Sequence, residues 1–268
     1  KLLVKDICKF YKLENLSIKI EDSGALPFTL AARLENAIKR MKPEITEEYL
    51  VPFNPKSNYK SAIDKLRRSR LYLPGNEPKF YPNAGLHNPD GIILDLEDSV
   101  SPSEKDSAQL LVRNALRAID FYGSERMVRI NQIPRGLDDL RYVIPNNVHV
   151  ILIPKCESPS DILLVEEEID SIKREHNIKN QIFLMPIIES ALGVERAYEI
   201  ATASRSICAL AVGLEDYTAD IGVQRTNIGN ESFYARTAII NACKAARIQA
   251  IDTVFSDVND MEALRQSV

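Results

Sequence analysis

The sequence predicts an α/β protein built on a (β/α)8 TIM barrel, and three observations favour that fold. From residue 70 onward, short apolar runs alternate seven times with longer amphipathic stretches. The apolar runs are continuous, which is typical of strands buried on both faces of a parallel sheet with helices packed outside. No G-x-G-x-x-G fingerprint follows the first run, where the sequence reads YLPGNEPKF, and this weakens the alternative of an open doubly wound sheet.

The predicted strands and helices follow one another in a regular order. The strands are residues 70–74, 91–95, 127–131, 148–155, 182–189, 207–213 and 250–255. Helical patterns such as 103–119 and 158–176 lie between them and open with Ser, Asp or Pro-Ser capping signals. An eighth strand would have to follow Val268, so we expect the barrel to be incomplete at the carboxyl end of this sequence.

The amino-terminal part of the chain has a different pattern. Residues 1–50 predict a small α+β appendage with a strand at LSIKI, residues 16–20, and a helix over LAARLENAIKRM, residues 30–41. Residues 51–66 contain prolines and no sustained periodicity, which predicts a linker leading into the barrel. We therefore expect an appendage at 1–50, a linker at 51–66 and the barrel at 67–268.

Composition excludes several classes of protein. A net charge of −4 argues against a nucleic-acid binder, which normally carries a basic surplus. No apolar run approaches the roughly 20 residues of a membrane span, and the start KLLVKDICKFYK lacks the apolar core of a secretory signal, so we expect a cytoplasmic protein. The four cysteines show neither metal-site nor disulfide spacing.

Polar residues gather at the carboxyl ends of the predicted strands, where barrel enzymes place their chemistry. These residues are Asp95, Glu97 and Asp98 after the second strand, Arg129 at the third, Lys155 and Glu157 at the fourth, Glu189 at the fifth, and Glu215 and Asp216 after the sixth. A helix cap or a solvated loop explains Asp98 or Glu157 equally well. The three histidines lack a telling partner, so acid–base work would fall to carboxylates, lysine or metal-bound water.

Glu189 and Asp216 are the predicted metal ligands. Glu189 closes the apolar run IFLMPIIE, where a carboxylate is costly to bury without a cation or a hydrogen-bond donor. Asp216 lies 27 residues later (216 − 189), about one strand-helix-strand unit, so the two should emerge from neighbouring strands about 5 Å apart. Oxygen ligands favour Mg²⁺, and Mn²⁺ would also fit, whereas Zn²⁺ would be expected to recruit His or Cys.

Ordered motifs across residues 67–262 resemble one family. They are RRSRLYLPGN at 67–76, DGIILDLEDSVSPSEK at 90–105, VRIN at 128–131, LIPKCES at 152–158, MPIIESALGV at 185–194, GLEDYTADIGVQRT at 213–226, YAR at 234–236 and AIDTVFSDVND at 250–260. Together they resemble the HpcH/HpaI aldolase and citrate lyase family, which includes citrate lyase beta subunits and malyl-CoA and citramalyl-CoA lyases.

The resemblance implies a function. It implies a (β/α)8 barrel that forms a homo-oligomer, trimer or hexamer, with Mg²⁺ held by Glu189 and Asp216 and with Arg129 touching substrate oxygens. The implied reaction is a retro-Claisen or retro-aldol cleavage, in which a β-hydroxy acyl thioester gives an acyl-CoA enolate plus a keto acid or glyoxylate. The substrate would be a small acyl-CoA, with CoA as part of it, or an acyl-carrier thioester.

Further residues take expected roles beside these motifs. Asp95, Glu97 and Asp98 lie at the mouth that would need a base or support for the metal, and we favour support. Basic and backbone groups near the first strand would receive phosphate or carboxylate groups of a CoA-like ligand. The predicted substrate-binding residues, besides Arg129, are Arg68, Arg70, Pro74, Gly75, Asn76, Lys79, Leu214 and Glu215.

Departures from the family pattern leave alternatives open. Family members usually continue through a last strand with an Ile-His-Pro motif and a C-terminal lid, both expected to be missing here. The appendage vaguely resembles an acyl-carrier-like subunit of citrate lyase or malonate decarboxylase, but it has no evident prosthetic-group serine, and we favour a packing or oligomerisation extension. Two rival functions are an aldolase acting on a free keto acid, which would use a histidine base, and a non-catalytic barrel that binds an acyl-CoA or a partner.

Overall fold

Seven parallel strands form one curled sheet in chain order. The computed structural model describes residues 1–226, 228–255 and 259–267. The strands are β1 Arg70–Pro74, β2 Gly91–Asp95, β3 Glu125–Arg129, β4 Val150–Ile153, β5 Phe183–Ile188, β6 Ala209–Val212 and β7 Gln249–Ile251. Each strand pairs in parallel with the next one along the chain. The predicted parallel α/β class is therefore confirmed.

The two faces of the sheet pack into separate hydrophobic clusters. In β2, Ile92 and Leu94 join an outer cluster that includes helix residues, whereas Ile93 joins an inner cluster. The inner cluster runs from Tyr72 of β1 to Ile251 of β7. Side chains from strands at both edges meet in one cluster only if the sheet curls around it. The described residues thus form a curled seven-stranded sheet, and closure of an eight-stranded barrel stays a prediction.

The two edge strands approach each other at their amino ends. The side-chain carbonyl of Gln249 accepts a hydrogen bond from the backbone N–H of Arg67 at 3.2 Å, and its amide group donates to the carbonyl oxygen of Lys65 at 2.9 Å. Gln249 is the first residue of β7, and the other two residues precede β1. This side chain links the amino-terminal edge of β7 to the segment that enters β1.

Helices cover the outside of the sheet. They are α1 Leu2–Phe10, α2 Pro27–Met41, α3 Tyr81–Ala84, α4 Lys105–Ala118, α5 Arg135–Val143, α6 Pro159–Glu175, α7 Ala191–Glu195, α8 Ala197–Ala201, α9 Leu214–Asp220, α10 Phe233–Ala246 and α11 Met261–Ser267. α6 begins with a capping box in which Ser158 and Asp161 each accept a hydrogen bond from the other's backbone N–H. Within the described ranges, no helix is long and apolar enough to span a bilayer.

The strand predicted at residues 16–20 is wrong, and the predicted α+β appendage is helical over its described residues. The segment from 16 to 20 runs without regular structure between α1 and α2. A strand needs a hydrogen-bonded neighbour, and alternation of Leu16, Ile18 and Ile20 with polar residues does not supply one. The helix predicted at 30–41 is confirmed by α2, which begins three residues earlier at a proline in the first helical position.

α2 packs directly on α4. Ala32 of α2 meets Leu110 and Leu111 of α4 in a small apolar cluster. Beside it, the Arg113 guanidinium donates to both carboxylate oxygens of Glu35 at 3.0 and 2.6 Å, and both side chains are fully buried. Opposite charges buried in this way need each other, because neither can be hydrated. The appendage is therefore docked on the helical layer rather than held by the linker alone.

The segment predicted as a linker lies against the amino ends of β3 and β4. Arg126 of β3 places its guanidinium 4.2 Å from the ring centroid of Tyr59. His149 Nδ1 accepts from the backbone N–H of Arg126 at 3.1 Å, and its Nε2 lies 2.9 Å from the Tyr59 carbonyl oxygen and 2.8 Å from the Arg126 guanidinium. The segment is irregular apart from a short 3-10 turn, Pro55–Ser57. Tyr59 nevertheless holds the segment against the sheet.

Candidate active site

Arg129 lies at the centre of the carboxyl-end mouth of the sheet. It ends β3 and is in register with Asp95, which ends β2. Its Nε and Nη2 donate to the two Asp95 carboxylate oxygens, both at 2.7 Å. Its Nη1 lies 2.7 Å from Glu97 Oε2 and 3.3 Å from Asp98 Oδ2. The structure thus brings these four residues together at one mouth, and their roles stay predictions.

This network keeps Arg129 charged and fixed. Burial opposes the charge of the Asp95 carboxylate, but the bidentate contact with Arg129 holds the Asp95 pKa below its usual value. Lys105 of α4 donates to the carbonyl oxygens of Leu96 and Glu97 at 2.8 and 2.6 Å, which holds the loop that carries the acids. The guanidinium also lies 5.5 Å from the ring centroid of Tyr72 on the inner face of β1.

Glu189 is a buried carboxylate that accepts a hydrogen bond from a backbone N–H. It follows β5, is 8% exposed, and accepts a hydrogen bond from the backbone N–H of Lys155 at 2.9 Å. Burial, together with the nearby charges of Glu97 and Asp216, raises the Glu189 pKa to about 7 despite that hydrogen bond. A divalent cation beside this carboxylate would stabilise its charged form.

The observed position of the Glu189 side chain requires a glycine at position 213. A Cβ atom added at Gly213 would lie 2.6 Å from Cγ and 2.8 Å from Cδ of Glu189. The strands that carry these residues are neighbours, since Ile188 of β5 pairs with Val212 of β6. The backbone of the residue after β6 therefore forms one wall of the Glu189 pocket.

Asp216 and Glu189 both contact Lys155, which lies between them. Asp216 occupies the first turn of α9, four residues after β6 ends, so a short helix rather than the strand itself presents it. The Lys155 Nζ lies 3.2 Å from Asp216 Oδ2, and the two side chains are each 41% exposed. Lys155 thus binds one predicted ligand through its backbone and the other through its side chain.

Two residues at this site were not assigned a role from the sequence. Lys155 was noted only as a strand-end charge, and its backbone has a positive φ of 48°, an uncommon conformation for a residue with a side chain. Tyr72 could have been predicted from the alternation of side chains in β1. It lies two residues before Pro74, the last residue of the strand, and residues two apart in a strand share one face. No local sequence signal predicts the left-handed backbone at Lys155.

The residues of the site fit a divalent cation. Five carboxylates, Asp95, Glu97, Asp98, Glu189 and Asp216, face two cations, Arg129 and Lys155, which leaves a net charge of −3 (−5 + 2) when all five carboxylates are ionised. Glu97 Oε2 is buried and has the ion pair with Arg129 but no hydrogen-bond partner. The described residues contain no cluster of three or more His, Cys, Asp or Glu ligands, yet Mg²⁺ commonly takes only one or two protein carboxylates.

Some predicted substrate-binding residues lie at this mouth. Pro74 ends β1, and the backbone N–H of Gly75 donates to the Asp95 carbonyl at 2.7 Å, so closely that a Cβ at Gly75 would collide with that oxygen. Asn76 Oδ1 is buried without a hydrogen-bond partner. Leu214 is buried at the start of α9, and Glu215 is exposed and paired with Arg225.

The structure does not bring Arg68 and Arg70 to this mouth. Arg70 is the first residue of β1, and parallel strands place their first residues at the opposite edge from Asp95. Arg68 donates to both oxygens of Asp90 at 3.1 and 3.0 Å, and Arg70 donates to backbone carbonyls of Arg67 and Asp252 at 2.6 and 3.3 Å. The exposed Lys79 pairs with Glu77 at 3.0 Å.

A parallel α/β fold with a charged site at the carboxyl ends of its strands defines a class of enzyme scaffold. Within that class, a family model described as HpcH/HpaI aldolase/citrate lyase matches residues 68–268. The chain belongs to this family. A second model, described as malonate decarboxylase delta subunit (MdcD), matches residues 1–41.

Named relatives agree with the family. The citrate lyase subunit beta of Leuconostoc mesenteroides subsp. cremoris is 41% identical over 74% of this chain and 67% of its own length. The L-malyl-CoA/beta-methylmalyl-CoA lyase of Cereibacter sphaeroides is 31% identical over 74% of this chain and 69% of its own length. These relatives support a CoA-related lyase of this family.

A solved structure has the same fold. Protein CitE from Mycobacterium tuberculosis in complex with magnesium and acetoacetate is 25% identical to the chain, with a TM-score of 0.60 over 75% of this chain and 80% of that chain.

Proposed function

We propose that the chain is a Mg²⁺-dependent carbon–carbon lyase that cleaves or forms a β-hydroxy acyl thioester of CoA or of an acyl carrier. Cleavage would yield an acyl thioester and a keto acid or glyoxylate. The observation that carries the proposal is the buried Glu189 beside Asp216, at the same mouth as the Arg129–Asp95 pair. The named lyase relatives and the magnesium complex of the CitE structure support the cation and the reaction class.

Metal binding, substrate orientation and proton transfer would fall to different residues of the site. Glu189 and Asp216 would hold the cation, which supplies Lewis-acid stabilisation of a developing oxyanion when it is bound. Arg129 would orient substrate oxygens, since Asp95 and Glu97 fix its position. The geometry favours a supporting role for those two acids, while Asp98, the most exposed of the three, would meet a substrate proton.

The free keto acid aldolase is the weaker alternative for a structural reason. Such an enzyme would need a histidine base at the carboxyl-end mouth. His149 lies just before β4, at the amino end of the sheet, and contacts Tyr59 and Arg126 there. His87 and His176 are exposed, in the turn that follows α3 and at the end of α6.

The experiment is a screen of malyl-, citramalyl- and citryl-CoA with Mg²⁺ and with EDTA. We expect turnover of one thioester that EDTA abolishes, and a loss of at least about 100-fold in kcat/KM for Glu189→Gln and for Asp216→Asn. Glu167→Gln and Asp170→Asn change the same charges on an exposed part of α6 and should keep full activity. Full activity of either site variant, or indifference to EDTA, would contradict the metal assignment.

Assembly and domain division belong to the same proposal. We propose a homo-oligomer, trimer or hexamer, in which residues 1–50 form an appendage, 51–66 a linker and 67–268 the barrel. Light scattering of the purified chain measures its mass directly. A monomer at micromolar concentration would contradict the oligomer.

A further inference from the structure

Lys155 has an unusual position between the two predicted metal ligands. Its backbone N–H donates to Glu189 Oε2 at 2.9 Å, and its Nζ lies 3.2 Å from Asp216 Oδ2. A positive φ of 48° places the two groups in this arrangement. A left-handed backbone at a residue with a Cβ costs free energy, which the surrounding contacts must offset.

The two cations of the site differ in freedom to move. Arg129 lies within 3.3 Å of three carboxylates, and its side chain is 13% exposed. The Lys155 ammonium lies against the Asp216 carboxylate, and its side chain is 41% exposed. An ion pair exposed to this extent contributes little to stability, so Lys155 can exchange partners at little cost.

A cation bound by Asp216 would compete directly with the Lys155 ammonium, because both need the same carboxylate. We propose that Lys155 is a substrate-binding residue whose ammonium moves from Asp216 to a carboxylate of the substrate when a divalent cation takes Asp216. The inference rests on the proposed function, since it presupposes the cation and an anionic substrate. The backbone N–H of Lys155 stays on Glu189 throughout, so the residue orients one ligand while its side chain serves the substrate.

Two binding measurements with opposite expected signs test this exchange. In calorimetric titrations of substrate-free protein with Mg²⁺ alone, Lys155→Met should bind the cation about 3- to 10-fold more tightly than wild type, because a competing charge has gone. In saturating Mg²⁺, the same variant should bind pyruvate, as a probe α-keto acid, about tenfold more weakly. Lys155→Arg keeps the charge and should resemble wild type in the first titration.

Two further variants separate the possible causes. Lys155→Gly permits the left-handed backbone and keeps the N–H donor, so it should reproduce both effects of Lys155→Met. Asp216→Asn should weaken Mg²⁺ binding about tenfold or more, which tests the metal site itself.

Unchanged Mg²⁺ binding in Asp216→Asn would overturn the proposed function and this inference together, whereas a wild type that binds no pyruvate in saturating Mg²⁺ would overturn the inference alone. Weaker or unchanged Mg²⁺ binding in Lys155→Met and Lys155→Gly, with the Asp216→Asn effect present, would overturn the exchange alone.

Discussion

The side chain of Glu189 occupies space that only a glycine at position 213 leaves free. Its burial, its contact with Lys155 and its neighbour Asp216 define the most constrained carboxylate of the site. The sequence predicted Glu189 because a charge closing a long apolar run is costly to bury. It did not indicate Gly213, because one glycine after a strand has many explanations and only the packing across β5 and β6 selects this one.

Gly213→Ala should weaken Mg²⁺ binding about tenfold or more, because the added methyl group displaces the Glu189 carboxylate. Gly222→Ala is the matched control: its φ is 72° and no atom lies within 4 Å of the added Cβ, so it should cost about 1 kcal/mol of stability and leave Mg²⁺ binding unchanged. Calorimetric titration and thermal unfolding measure the two effects. Equal Mg²⁺ affinity in wild type and Gly213→Ala would contradict the packing argument.

Arg129→Gln should lower the free energy of unfolding by about 3–5 kcal/mol, because it leaves the buried Asp95 and Glu97 without their cation. Arg129→Lys restores a charge but not the bidentate contact, so it should recover only part of that loss and little activity. Urea unfolding measures the stability, and Arg174→Gln on the exposed face of α6 provides the control. A stability loss under 1 kcal/mol in Arg129→Gln would show that water reaches the two acids.

At the scale of elements, strands were easier to predict than the segments that join them. The predictions at 70–74 and 91–95 match β1 and β2, and the run at 182–189 contains β5, because buried parallel strands have a strong apolar signature. The predicted strand at 16–20 failed because pairing is non-local. Asp216 was expected to emerge from a strand, but it lies in the first turn of α9. The path of the chain after Val212 depends on packing, which the periodicity of the sequence does not encode.

The pairing of α2 with α4 depends on the buried Glu35–Arg113 contact. Glu35→Leu should cost about 3–5 kcal/mol of unfolding free energy, because Arg113 is left buried opposite an apolar side chain. Adding Arg113→Met should recover most of that loss, since the other carboxylate paired with Arg113, Glu48, is partly exposed and can be hydrated.

Urea unfolding of the single and double variants gives the coupling energy directly. Lys39→Ala removes only the outer contact of Glu35, at 3.3 Å, and should cost less than about 1 kcal/mol. A double variant no more stable than Glu35→Leu would mean that the pair does not govern docking.

At the scale of the whole molecule, stability should depend on pH through a buried group far from the candidate site. Burial, with the positive charges of Arg126, Lys65 and Arg67, lowers the pKa of His149 to about 3, against about 6.5 for an unfolded histidine. Below pH 6.5 the unfolded chain takes up a proton that the folded chain refuses until about pH 3. The contribution of neutral His149 to the free energy of unfolding is therefore fully present above pH 6.5 and is lost as the pH falls toward 3.

At pH 5 this linkage should remove about 2 kcal/mol of unfolding free energy from the wild type relative to pH 7. His149→Gln has no such proton, so its stability should fall less over the same interval. Urea unfolding at pH 7, 6 and 5 measures both slopes, and His176→Gln, at an exposed histidine after α6, should keep the wild-type slope. Parallel slopes for wild type and His149→Gln would contradict the depressed pKa.

The link made by Gln249 has a consequence for how the sheet loses its structure. A sheet whose strands follow chain order would ordinarily open from its first and last strands, because each of these has one neighbour among the described strands. Here one amide side chain joins positions more than 180 residues apart, bonding to the backbone on either side of Leu66. Backbone amides of β1 and β7 should then exchange with solvent in one concerted opening, and Gln249→Ala should let the two ends fray independently.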